Sequence, residues 1–188
     1  MTGTPSTPRD TSPPPGPQEG GGQERQLTAG PAVHLVKWIA VFMSVFQLYT
    51  GFFGELSGAK QLSIHLSFAM LLCYLNYPLV RKTSQSKIPV YDFALALLAA
   101  AASFYVYVNY EHVAYSVGNP ALYDLIIGGA LIVFILEATR RSISPILPVL
   151  TLIFLFYAYI GPHIPGTLAH RGFGISRIID HVFMSGEG

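Results

Sequence analysis

Charge is distributed along this chain so that five long stretches are left almost without it. Residues 38–54, 61–80, 93–110 and 146–160 contain no Lys, Arg, Asp or Glu. Residues 121–138 carry only Asp124 and Glu137, one near each end. A helix needs ~20 mainly apolar residues to cross a hydrocarbon core ~30 Å thick. That core offers no water, so the backbone must satisfy its own hydrogen bonds, and a helix does so. The pattern predicts an all-α integral membrane protein: an antiparallel four-helix transmembrane bundle, a fifth span and a short amphipathic helix.

Composition limits the alternatives. Charged residues make up 11% of the chain, against ~25% in a soluble domain. Of the 188 residues, the spans and an N-terminal tail use up most, which leaves no room for a soluble catalytic domain. The net charge of +1 gives no basic footprint for nucleic acid. The single cysteine, Cys73, lies inside the second apolar stretch, so no intrachain disulfide forms and redox compartment is not indicated.

The first 31 residues hold seven of the fourteen prolines, with Pro13, Pro14 and Pro15 in a row, and the run Gly20, Gly21 and Gly22. With almost no apolar side chains to bury, the segment does not offset its ordering entropy, and 1–33 reads as a disordered tail. A proline-motif ligand is the alternative reading. Orientation follows from the basic residues. Arg81, Lys82 and Lys87 lie after span two, and Arg140 and Arg141 after span four. Positive residues concentrate in cytoplasmic loops, which places the tail and these two loops inside and the loops at 55–60 and 111–120 outside. Trp38, Tyr77, Tyr91, Tyr110, Tyr123 and Tyr159 fall where interfacial anchors belong.

The fifth stretch is short, with Pro145 and Pro148 in its first turns and Gly161 and Pro162 closing it. Arg171 and Arg177 follow at an end that alternating topology puts outside, against the positive-inside tendency. Beyond it, Ile175, Ile178, Ile179, Val182 and Phe183 repeat at the spacing of one helical face. Such a helix is too short and polar to span; it is expected to lie along the interface or on a neighbouring helix, with Ser176 as a candidate cap. Ser185 to Gly188 end the sequence with no structural terminus, which reads as a truncated gene product.

Motifs for enzymatic chemistry are absent from the sequence. The six histidines, His34, His65, His112, His163, His170 and His181, show no metal-ligand spacing with a supporting Cys or carboxylate. No nucleophile elbow, zinc-protease motif or phosphate loop occurs. Glu111 and His112 are the best acid–base neighbours, in what reads as a solvated outer loop. His65 reads as a buried histidine with a hydrogen-bond partner rather than a proton relay. Gln47 and Asn76 read as interhelical hydrogen-bonding amides. Gly128 and Gly129 allow another helix to approach closely. Glu137 stands three and four residues before Arg140 and Arg141, so an ion pair along one helix is available. It reads as structural or as a subunit-docking element more readily than as part of a transport path.

One ordered set of residues carries a family resemblance. Leu136, Glu137, Ala138, Thr139, Arg140 and Arg141 are followed by Leu147 and Pro148 and by the aromatic-rich 154–159. Gly161 and Pro162, Pro165 and Gly166, and Ala169, His170, Arg171, Gly172 and Phe173 complete it. Over residues 35–188 this order resembles the amino-terminal part of fused TRAP transporter permeases of the TAXI type. The resemblance implies a small four-helix membrane domain at 34–141. Residues 142–188 would begin a large permease domain. It implies a sodium-coupled importer of organic acids in a prokaryotic inner membrane. Its partners would be a periplasmic solute-binding protein, the remainder of the permease and membrane lipid, with no nucleic acid. Sodium and solute would bind in the downstream domain, so neither a catalytic nor a metal site is expected here and no cofactor is called for. Glu137, Arg140, Arg141, His170 and Arg171 are the candidate topology and interdomain positions. The rival readings are a non-transporting membrane scaffold or sensor subunit, and a membrane enzyme using Glu111, His112 or His65.

Overall fold

A computed structural model of the chain describes residues 24–25, 30–54, 56–79 and 88–184. Seven α-helices follow in order: α1 (Pro31–Phe53), α2 (Gly58–Asn76), α3 (Val90–Val108), α4 (Tyr110–Ser116), α5 (Leu122–Ser142), α6 (Ile146–Ile160) and α7 (Ile175–Phe183). Two single 3₁₀ turns, Gly161–His163 and Gly166–Leu168, lie between α6 and α7. Four of these helices are long and apolar enough to cross a membrane: α1, α3, α5, and α6 with the turn that follows it. The chain is an all-helical, multi-pass membrane protein.

The sequence marks the helix ends. Pro31 opens α1, where its missing N–H costs nothing and its fixed φ suits a helix. Gly54 closes α1 in the left-handed region (φ 64°), donating its N–H to Thr50 O at 2.9 Å. In the first turn of α5 the Asp124 carboxylate accepts the Ala121 N–H at 3.1 Å, satisfying one of the donors that a helix start leaves unpaired. The loop expected at 111–120 contains a further short helix, α4, whose buried Val113 anchors it.

α2, α3 and α5 form the centre. Met70, Tyr74 and Leu75 of α2 meet Ala96 and Ala99 of α3 and Leu131 and Ala138 of α5. Ala96, Ala99, Ala100 and Ser103 make one buried stripe on α3. At helical spacing these small residues let α2 lie close. α2 is not among the helices apolar enough to cross a membrane on their own. It lies against α1, α3 and α5, so its polar side chains turn inward. The hydroxyls of Ser63 and Ser67 are buried and bond the carbonyls of Ala59 and Ser63 at 2.7 and 2.8 Å. That arrangement satisfies the hydroxyls without a partner outside the helix.

α1 and α6 are peripheral. They present Phe42, Leu48 and Phe52, and Ile153, Phe154 and Phe156, to the surroundings. α1 is joined to α2 by polar contacts as well: Gln47 and His65 Nδ1 are hydrogen-bonded, and Gln61 Nε2 donates to Thr50 Oγ1 at 3.1 Å. His65 thus has the partner expected of it. α7 packs on α5, the neighbouring-helix arrangement, with Phe183 and Ile179 seated over Gly128. A Cβ at Gly128 would lie 2.7 Å from the Phe183 ring. Of the proposed N-terminal tail, helix α1 takes the last residues and Arg25 is buried; 1–23 and 26–29 lie outside the described residues, as do Arg81, Lys82 and Lys87.

Candidate functional site

Two clusters of polar side chains stand at opposite ends of the central helices. The first gathers where α2 ends, α3 begins and α5 ends. Asp92, in the first turn of α3, is fully buried. Its Oδ1 accepts from Arg141 Nη1 at 3.0 Å and its Oδ2 from Arg25 Nη2 at 2.6 Å. Arg141 also donates from Nε to Glu137 Oε1 at 2.8 Å and from Nη1 to Tyr77 O at 3.4 Å. Its guanidinium lies over the Tyr74 ring at 4.5 Å, a cation–π contact strengthened by burial. Tyr74 donates its hydroxyl to Phe134 O at 2.9 Å. Arg140 forms a two-bond fork on Glu137, at 2.7 and 2.8 Å. The Arg141 Nη2 is enclosed with no hydrogen-bond partner among the described residues.

The geometry follows from helix periodicity. Residues three and four apart share a face, so Glu137 lies below both Arg140 and Arg141, as their spacing predicts. Arg140 stays at the surface and Arg141 turns inward, with side-chain exposures of 45% and 1%. Charged groups inside a low-dielectric region persist only when paired and hydrogen-bonded; Asp92 meets that requirement with two guanidiniums.

The second cluster gathers where α3 ends and α5 begins. Asp124 is fully buried. It accepts from the Tyr105 hydroxyl at 2.6 Å and the Ala121 N–H at 3.1 Å, and His112 Nε2 lies 3.0 Å from its Oδ2. The same His112 nitrogen is 2.9 Å from the Tyr123 hydroxyl, and the two rings stack at 5.5 Å. Asp180 of α7, also buried, takes the Gly118 N–H on both oxygens at 3.0 and 3.2 Å. Beside this end α2, α3, α4, α5 and α7 line a half-open cavity of about 620 Å³, mostly apolar, with Ser63, His65 and Ser103 among its walls.

Of the candidate positions, Glu137, Arg140 and Arg141 come together at the first cluster. His170 and Arg171 do not join them: they follow α6 at its far end. Fifteen residues of α6 at ~1.5 Å rise put roughly 22 Å between the two ends. His170 organises its own turn. Its Nε2 lies 3.1 Å from Tyr157 O, its Nδ1 accepts the Gly172 N–H at 3.1 Å, and its ring covers Gly161 so closely that no side chain fits there. Arg171 is exposed. Glu111 is exposed too, and the partner of His112 is Asp124 rather than its sequence neighbour.

Sequence reasoning missed Asp92, Arg25, Tyr74 and Tyr105. Asp92 and Asp124 shared one usable signal: each is an isolated acid in the first turn of an apolar helix, where the helix N-terminus favours a carboxylate. Comparison with protein-family models, curated proteins and solved structures gives no match.

Proposed function

We propose that this chain is the scaffold and docking part of a TRAP-type importer in a prokaryotic inner membrane. It would lie with its arginine cluster at the cytoplasmic side and work with a periplasmic solute-binding protein. The observation that carries the reading is the bonding of the three central helices through one arginine: Arg141, at the end of α5, forms an ion pair with Asp92 of α3 and donates a hydrogen bond to the α2 terminus. Such bonding suits a part that stays still while another moves. The residue order over 35–188 supports the transport assignment, and Arg140 and Arg141 at one end support the orientation. Sodium coupling and organic-acid import rest on the resemblance alone. The exposed aromatic faces of α1 and α6 suit contact with lipid and with the moving domain.

The test is reconstitution of the full-length permease in liposomes with its binding protein. Solute uptake is expected only with an inward sodium gradient. Uptake that persists without one removes the coupling. No uptake with any binding protein favours a non-transporting membrane scaffold.

A further inference from the structure

Arg25 enters the first cluster from outside the helices, and its contacts have the form of a binding site. Its backbone N–H donates to Asn76 O at 2.7 Å, its Nη1 to Leu75 O at 2.9 Å and its Nη2 to Asp92 Oδ2 at 2.6 Å. Two of these acceptors are the last carbonyls of α2, which a helix leaves unpaired and whose dipole favours a cation. The third is a carboxylate with one oxygen turned to Arg141 and the other to Arg25. The Arg25 side chain is 1% exposed although it comes from 50 and 67 residues away in sequence.

Charge counting separates Arg25 from the rest. Among the ion pairs of the described residues at this end, three guanidiniums face two carboxylates with it; without it, Arg140 and Arg141 balance Asp92 and Glu137. The buried Arg141 Nη2 has no hydrogen-bond partner among the described residues. Arg141 and Glu137 are held by their own helix, whereas Arg25 is the one cation of the three that no helix carries. The planar fork of a guanidinium spans Leu75 O and Asp92 together; an ammonium is a point charge and does not.

We infer that the end of α2 and the Asp92 carboxylate form a slot for an arginine in an extended peptide, filled in cis by Arg25 and separable from an otherwise charge-balanced bundle. The slot is thus a binding site for a guanidinium-bearing segment. It stands whether or not the chain takes part in transport.

The experiment uses the full chain in lipid nanodiscs, with Cys73→Ala and Glu24→Cys carrying a nitroxide label at the exposed position 24. The label is expected to be restricted with Arg25 present and mobile in Arg25→Ala and Arg25→Lys, with the helical content of all three alike and the melting temperature of the Arg25→Ala chain lowered, because buried Asp92 loses one of its two partners. A peptide of residues 21–29 is expected to bind the Arg25→Ala chain at least ~10-fold more tightly than its citrulline version, the worth of one charge-assisted hydrogen bond, and not to bind the parent chain. Unchanged label mobility in Arg25→Ala overturns the inference. So does a restricted label in Arg25→Lys, which would mean that charge alone suffices. Unfolding of the bundle in Arg25→Ala would make Arg25 a structural member rather than an occupant, and equal binding of the two peptides would remove the slot.

Discussion

The two ends of the bundle solve one problem in different ways. Each buries an aspartate completely in the first turn of a helix. Asp92 is held by two guanidiniums. Asp124 is held by a phenol, a backbone N–H and an imidazole. Both are satisfied, yet the first depends on fixed charges and the second on hydrogen-bond donors that carry none, His112 aside. An arginine cation cannot be titrated away, so the first end keeps its charges, while the second is bonded chiefly through neutral donors.

Breaking the arginine end has the largest expected effect. Arg141→Ala leaves Asp92 with one cation, frees Glu137 of one bond and uncovers Tyr74. Removing one partner from a buried ion pair costs about 3–5 kcal/mol, to be read as lost stability in denaturant unfolding in micelles. Asp124→Asn is the matched change at the other end. An amide oxygen still accepts from Tyr105 or Ala121, but its NH₂ meets other donors, so a smaller loss of about 1–3 kcal/mol is expected. Equal losses from the two variants would dissolve the distinction between the ends. The smallest effect belongs to Arg140→Ala. Its fork on Glu137 is half in solvent, and exposed pairs at this spacing are worth about 0.3–0.5 kcal/mol. A loss as large as that of Arg141→Ala would show that the surface arginine carries the cluster.

What the sequence discloses about this molecule depends on range. Apolar runs mark the long helices because burying a polar group in hydrocarbon is costly at every position, so the constraint is written locally. Glu137 with Arg140 and Arg141 is legible for a related reason: three and four residues are one turn. Gly128 with Gly129 is legible too, as absent side chains invite a neighbour. Asp92 with Arg141, Arg25 with Leu75, and Tyr105 with Asp124 are tertiary pairings, and no periodicity records them. His112 shows the hazard. Its sequence neighbour Glu111 suggested a pair, but on a helix adjacent residues point apart, and the carboxylate that reaches the ring belongs to α5. α2 was legible as a helix, while its inward polar face becomes intelligible only once α1, α3 and α5 surround it.

The seat of Phe183 over Gly128 fixes more than the fact that α7 docks. One turn to either side on the same face of α5 stand Asp124 and Ile132, which carry side chains where Gly128 carries none. A ring lodged in that gap cannot creep along α5 by fractions of a turn without meeting one of them. The contact therefore works as a detent: α7 sits at one axial position or leaves it altogether, and Asp180 with its hold on Gly118 moves with it.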